Sequence, residues 1–256
     1  METAEAVVAP RHRLRWWREL VFVLTFYAIY SFIRNQFGSP GAPPAHAVHH
    51  ARSIIDLERD LGIYHEETVQ EWFLSWRSFI QFWNLFYGTF HFVVTAFCIV
   101  WLFRRFPERY VRWRTTLAIT TALALIGFAF YPLEPPRLLD ASYGFIDTLK
   151  DYGGLWSFDS GAMSKVSNQY AAMPSLHFAW STWCALVLVP TLRRTWLKAL
   201  AISYPLLTLF AIVVTANHYV LDAAGGVVIL VVALPLGQWW ATRGAARDVS
   251  TQTTGR

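Results

Sequence analysis

The sequence predicts an all-α, polytopic membrane protein with six transmembrane helices and an amphipathic helical segment between helices 1 and 2. Three observations carry this reading. Hydrophobic residues make up 55% of the chain and charged residues 15%, with a mean hydropathy of +0.31, outside the usual balance of a soluble domain. Apolar runs of about 20 residues, enough to cross a bilayer at about 1.5 Å each, recur along the chain. Arg and Lys cluster between these runs and form no basic domain, so the net charge of +5 is a topology signal and excludes a nucleic-acid partner. Residues 1–256 read as one integral membrane domain: an N-terminal segment over 1–19, a six-helix core over 20–240 and a tail over 241–256.

Along the chain, Arg11, Arg13, Arg15 and Arg18 lead into an apolar run from about Leu20 to Ile33. A signal peptide has the same outline, but the cleavage-like Ala45-His-Ala47 lies far from the run and Arg34 to Gln36 intervene, so an uncleaved first helix fits better. After the Gly38 to Pro44 breaker, His46 to Trp76 mixes charge with spaced apolar residues: Ile54, Ile55, Leu57, Leu61, Val69, Trp72, Phe73 and Trp76. That spacing predicts one or two amphipathic helices lying along the membrane surface. His46, His49 and His50 have no matching carboxylate face and read as surface residues, not metal ligands.

Phe79 to Phe103 and Thr115 to Tyr131 are the second and third spans, separated by Arg104, Arg105, Arg109, Arg112 and Arg114. Pro174 to Leu192 is the fourth, ended by Arg193, Arg194 and Lys198. Ala199 to Trp240 is roughly twice as long as the bilayer core requires, so it must be a hairpin, turning near Thr215 to His218. Cys98 and Cys184 lie inside apolar runs and read as core residues. The positive-inside rule makes both termini cytoplasmic. The extracytoplasmic face then receives the amphipathic segment, the Pro132 to Ala172 loop, His177 at the start of span four and His218 at the turn before span six.

Two histidines at one rim define a candidate site. His218 and Asp222 are four apart and share one face of a helix. An Asp holding one ring nitrogen fixes the tautomer and leaves the other as a nucleophile or base, though a structural pair bracing the hairpin has the same spacing. His177 follows Pro174 and Ser175 in what the pattern makes a first helical turn, where exposed amides and the positive dipole end suit an anion. Ser175 is equally suited to capping and to phosphate contact. Arg137, after Tyr131-Pro-Leu-Glu-Pro-Pro, suits either bidentate phosphate binding or snorkelling to headgroups.

Pro135-Pro-Arg137, Pro174-Ser-Leu-His177 and His218-Tyr-Val-Leu-Asp222, in this order, resemble the type 2 phosphatidic acid phosphatase superfamily, and within it the inositol phosphorylceramide synthase-like branch. The resemblance spans helices three to six. It implies a metal-independent lipid phosphatase or phosphotransferase with no cofactor. His218, oriented by Asp222, attacks phosphorus to give a phosphohistidine. His177 protonates the leaving oxygen and later deprotonates water or an alcohol, and Arg137 and Ser175 hold phosphate oxygens. The implied partners are a membrane lipid and an acceptor such as inositol or a lipid hydroxyl.

The chain departs from the superfamily pattern at three places. Leu176 replaces the Gly of Pro-Ser-Gly-His, Ala211-Ile212 stands where Ser-Arg precedes the second His, and no Lys stands six residues before Arg137. Fewer cations suit a phosphodiester better than a dianionic monoester, so headgroup transfer is favoured over simple hydrolysis of phosphatidate or an isoprenyl phosphate. Lys165 is one candidate to compensate.

Asn84, Tyr87 and His91 form a helical stripe that lines a substrate pocket or makes interhelical hydrogen bonds. Gly225-Gly226 reads as a close helix contact, and Gly153 to Gly161, with Trp156 and Phe158, as a flap or an outer loop. Two other classes compete: a transporter using the His/Asp groups as a proton relay, and a lipid-binding protein without turnover. An outer-rim site and no inverted repeat stand against the first. The second has no need of the His/Asp pair.

Overall fold

The computed structural model describes residues 15–36, 45–153 and 169–253. It is helical, with no strand among the described residues and a single parallel bridge between Leu133 and Ala171. The helices are α1 (Trp16–Gln36), α2 (Ala45–Asp60), α3 (Glu66–Leu74), α4 (Arg77–Arg105), α5 (Pro107–Phe130), the short α6 (Thr148–Asp151), α7 (Leu176–Leu188), α8 (Thr195–Val214) and α9 (Val220–Thr253). Four of them, α4, α5, α8 and the Val220–Arg243 part of α9, are long and apolar enough to cross a membrane. The chain is therefore an integral membrane protein by helix length and composition.

Two of the six expected spans are weaker. Over its 21 residues α1 carries Trp16, Trp17, Tyr27, Tyr30 and Ser31, which dilute its apolar character. The fourth expected span contracts to the 13 residues of α7, because Pro174 stays outside the helix and the chain turns at Val189 and Pro190. At about 1.5 Å per residue α7 is roughly 20 Å long, short of a bilayer core. It is enclosed by α4, α5, α8 and α9.

Close packing of these helices depends on missing side chains. A Cβ on Gly237 would lie 2.1 Å from the Thr116 hydroxyl, so α9 approaches α5 there as only glycine permits. Inside the spans, the hydroxyls of Thr116, Thr120, Thr121 and Thr208 donate to the carbonyl four residues back, and Thr121 also accepts from Trp180 Nε1 of α7 at 3.1 Å. The main core gathers Trp83, Phe86, Trp113, Trp183, Tyr204 and Leu230.

The segment between spans one and two forms two helices, as its periodicity predicts, but the buried face of α2 does not lie on a membrane. Ala51, Ile54 and Ile55 pack against Leu133, Leu139, Phe145, Ala172, Ala216 and Tyr219. The long loop after α5 and the α8–α9 turn offer an apolar surface of their own, and α2 covers it. On α3, Gln70 donates to Ile146 O at 3.0 Å and accepts from Ile146 N at 2.9 Å. Trp72 and Trp76 stay exposed at this end; Trp16, Trp17, Trp196, Trp239 and Trp240 are exposed at the other. Two levels of exposed tryptophan are what the two interfaces of a bilayer select.

Candidate active site

The site is built on the turn of the α8–α9 hairpin. The α8 helix ends in a Schellman arrangement: Asn217 N donates to Ile212 O at 3.0 Å and Ala216 N to Val213 O at 2.8 Å. Ala216 takes the left-handed position, φ 51°, which costs a non-glycine residue about 1 kcal/mol. This cap reverses the chain within five residues and delivers Asn217 and His218 to one rim, where the sequence placed the turn.

His218 Nδ1 lies 3.1 Å from Asp222 Oδ2, both side chains almost fully buried. A carboxylate only accepts, so Nδ1 carries the proton and Nε2 presents its lone pair. The same Asp222 oxygen accepts from Tyr219 N at 3.1 Å, which caps α9 from within its first turn. Asp222 Oδ1 is buried with no hydrogen-bond partner among the described residues.

The second histidine arrives on α7. Ser175, not Pro174, starts that helix: it is the N-cap, its hydroxyl accepting from Phe178 N at 3.5 Å. Pro174 therefore sits ahead of the cap and not in the first turn. The capping half of the Ser175 expectation is realised, and the residue is fully buried. Pro174 is lodged between two helices. A Cβ on Gly127 of α5 would meet its Cδ at 2.4 Å, and one on Gly225 of α9 its Cβ at 3.2 Å. Gly226 lies against Ser175 O, 2.5 Å from its would-be Cβ, and Ser175 N donates to Asp222 O at 2.9 Å. The glycine pair is thus a close contact that locks the start of α7 to the first turn of α9.

This lock brings the two imidazoles together, with ring centroids 5.5 Å apart. Tyr87 stacks on His177 at 4.2 Å, His91 meets it edge-on at 4.1 Å, and Tyr87 lies 6.2 Å from His218. His91 Nδ1 lies 2.9 Å from Tyr87 O. Two members of the α4 stripe therefore flank the histidine pair. The third, Asn84, faces elsewhere: its amide donates to Thr148 O at 2.8 Å and Gly153 O at 3.1 Å, and accepts from Thr148 Oγ1 at 2.9 Å.

Arg137 is buried, not snorkelled. Its Nε donates to Asn217 Oδ1 at 3.0 Å, Nη1 to Asp147 Oδ2 at 2.8 Å and Nη2 to Gln169 Oε1 at 3.4 Å, while its amide donates to Ala216 O at 2.9 Å. Asn217 in turn donates to Thr215 Oγ1 at 2.8 Å. A continuous polar network thus runs from Asn84 through Thr148 and Thr215 to Asn217 and Arg137, beside His218.

Several members of this arrangement escaped the sequence reading: Asp147, Gln169, Asn217 and, above all, Glu58 and Glu66. Leu221 N donates to Glu58 Oε1 at 2.7 Å and Val220 N to Glu66 Oε1 at 3.0 Å. Burial and the neighbouring Glu66 carboxyl push the Glu58 carboxyl up to about 9. Burial also raises Glu134 and holds Tyr219 well above the ordinary phenol range. A signal was present: Ala47, Ala51, Ile54 and Glu58 share one helical face, so a charge interrupts the apolar stripe of α2. His50, by contrast, stacks on Tyr131 at 3.9 Å with Nδ1 2.8 Å from Pro132 O. Among the described residues no three His, Cys, Asp or Glu side chains are grouped to hold a metal. Lys165, Trp156 and Phe158 lie outside the described residues.

The family model of the PAP2 superfamily matches residues 52–236, most of the chain and every site residue above. The chain belongs to the PAP2 superfamily. No curated protein and no solved structure matches it. Membership points to lipid phosphatase or phosphotransferase chemistry, and superfamily members are generally metal-independent phosphatases. The departures from the superfamily's pattern have structural uses here. Leu176 packs with Ala124, Leu125 and Phe128 of α5, and Ile212 is a fully buried contact of Val213 and Ala223.

Proposed function

We propose that this protein is a membrane lipid phosphotransferase that moves a phosphate-linked headgroup, in the manner of inositol phosphorylceramide synthases, through a phosphohistidine on His218. The observation that carries the reading is the pair of imidazoles 5.5 Å apart, one held by a buried aspartate. One phosphoryl group bridges such a pair. In the first step His218 Nε2 bonds phosphorus, the ester P–O bond breaks, and the leaving oxygen takes the proton of His177. In the second, His177 removes the proton of an acceptor hydroxyl, its oxygen bonds phosphorus, and the P–N bond breaks to return the lone pair to His218. Asp222 keeps Nδ1 protonated throughout. The first-turn amides of α7 and the Arg137 guanidinium stabilise charge on the non-bridging oxygens, and Tyr87 and His91 wall the headgroup side.

Transfer rather than hydrolysis is supported by the charge around Arg137. Asp147 pairs with it, and the Ser-Arg and Lys of the wider pattern are absent. The site thus offers little excess positive charge, enough for a phosphodiester and poor for a dianionic monoester. By the positive-inside rule the site lies at the extracytoplasmic face with both termini cytoplasmic, which requires α1 to cross and the short α7 to cross together with the non-helical residues that flank it.

The test is turnover by detergent-purified protein in EDTA, given labelled phospholipids and isoprenyl phosphates with and without inositol or diacylglycerol, beside His218→Gln. An acceptor-dependent phosphodiester is the expected product. Free phosphate from a monoester would replace transfer by lipid phosphate hydrolysis, and no His218-dependent product would leave a lipid-binding protein.

A further inference from the structure

We propose that Glu58 and Glu66 are positioning residues for the His218–Asp222 pair: a carboxylic acid and a carboxylate, sharing one proton, that hold the first turn of α9. The inference rests on the proposed role of His218. The first amides of a helix have no partner within it, and in α9 each is assigned. Tyr219 N goes to Asp222 Oδ2, Val220 N to Glu66 Oε1 at 3.0 Å and Leu221 N to Glu58 Oε1 at 2.7 Å. Asp222 N itself closes onto Tyr219 O at 3.2 Å. The two glutamates reach this turn from separate helices, α2 and α3, across 163 and 154 residues of chain. Both are almost completely enclosed, at 0% and 1% exposure.

The division of labour between them follows from their bonds. Glu66 Oε2 also accepts from His65 N at 3.0 Å, so both its oxygens are acceptors and it must be the carboxylate. Glu58 Oε2 is buried beside the Glu66 carboxyl with no hydrogen-bond partner among the described residues; as a bare carboxylate oxygen it would stay unsatisfied, whereas as a hydroxyl it can donate to Glu66. Burial and the adjacent Glu66 favour that protonated form. The pair adds one negative charge beside that of Asp222 at the positive end of the α9 dipole, where a further one on Glu58 would repel both. It also fixes the rotation of the turn from which Asp222 and His218 project.

The protonation pattern predicts an asymmetry that a filler role would not give. Glu58→Gln keeps an acceptor for Leu221 N and a donor toward Glu66, so it should retain kcat within about twofold. Glu66→Gln must turn an amide N–H onto Val220 N or His65 N, both donors, and should lower kcat by tenfold or more with KM changed less than threefold, as should Glu58→Ala.

The experiment measures kcat and KM on the full-length protein below the unfolding temperature of each variant, together with amide hydrogen exchange at Val220 and Leu221 in the absence of substrate. Faster exchange in Glu66→Gln and Glu58→Ala, with Glu58→Gln like the parent, is expected. Equal kcat in all four proteins, or equal loss in Glu58→Gln and Glu66→Gln, overturns the inference. Because exchange needs no turnover, a protein without His218-dependent activity would defeat the proposed function while the exchange pattern still decided the role of the pair. A Glu66→Gln protein that does not fold leaves Glu58→Gln against Glu58→Ala to decide it.

Discussion

The two ends of this bundle are held by different forces. At the site end, hydrogen bonds join segments far apart in sequence: Asn84 to Thr148, Arg137 to Asn217, Val220 to Glu66 and Leu221 to Glu58. Within the spans, most threonine hydroxyls bond one turn back, the indole N–H groups of Trp180 and Trp183 cross to Thr121 and Trp113 of α5, and aromatic stacking fills the space between helices. Local bonds let helices slide, whereas long-range polar bonds of buried groups admit one arrangement. The proposed transfer, which needs two imidazoles and a phosphorus atom in line, depends on the second kind of order.

The largest break in the comparison is chemical. His218→Gln should abolish phosphohistidine formation, and His177→Ala should lower turnover by roughly 10²–10⁴-fold, the usual worth of acid–base assistance. Neither should move the unfolding temperature by more than a few degrees. Trapping labelled enzyme with substrate and acid-labile analysis of the phosphoprotein checks the first; steady-state kinetics check the second. If His218→Gln still became labelled, the nucleophile would lie elsewhere.

Two glycine substitutions of similar steric cost separate the ends. Gly226→Ala puts a methyl 2.5 Å from Ser175 O, and Gly237→Ala puts one 2.1 Å from Thr116 Oγ1. Overpacking typically costs about 1–3 kcal/mol, so both proteins should unfold earlier. Only Gly226→Ala should also lower kcat several-fold, because it pushes the α7 cap and His177 away from Asp222. Equal kcat losses would mean that the whole bundle, rather than the site end, sets the geometry.

These contrasts also explain what the sequence made legible. Helix existence, the hairpin turn and the His218–Asp222 pair follow from composition and i, i+4 spacing, all local properties. So does the capping of α7 by Ser175, although the exact start of the helix depends on Pro174 fitting between Gly127 and Gly225, which no local pattern encodes. The stripe on α4 illustrates the limit: Asn84, Tyr87 and His91 share a face, yet the loop after α5 claims Asn84 and the histidines claim the other two. Arg137 stands out in the sequence by two prolines and a charge, while its partners Asp147, Gln169 and Asn217 are chosen by the tertiary fold. Glu58 broke the apolar stripe of α2, but its partner lies 163 residues away.

A smaller effect tests the site end by pH. The Glu58 carboxyl is raised from its ordinary value of 4.5 to about 9, so the folded protein binds a proton that the unfolded chain has released. That contribution to stability is complete below about pH 4.5 and is lost as pH rises through about 9. Glu66 and Asp222 oppose its ionisation, the Leu221 amide favours it, and the neighbouring Tyr64 and Tyr219, themselves raised, stay neutral over this range. Thermal unfolding of the parent should therefore fall between pH 5 and 9, and Glu58→Gln should give a flatter profile. Parallel profiles would show that Glu58 is ionised in the folded protein.

The smallest effect is expected at the other end. Arg114 pairs with Glu19, which also accepts from Tyr110 at 3.2 Å, and together they tie α1 to α5. Arg114 lies over the Phe22 ring at 4.5 Å as well, so packing retains part of the contact when the charge is removed. Exposed pairs are worth up to about 1 kcal/mol; this one is half-buried and stands at the upper end of that range. Glu19→Gln should lower the unfolding temperature by a few degrees and leave kcat unchanged, since the bonds of the site network described above run through α2 to α9 and the loop after α5. A fall in kcat matching that of Gly226→Ala would show that α1 is coupled to the histidine pair, and the division between a packed bundle and a hydrogen-bonded site would fail.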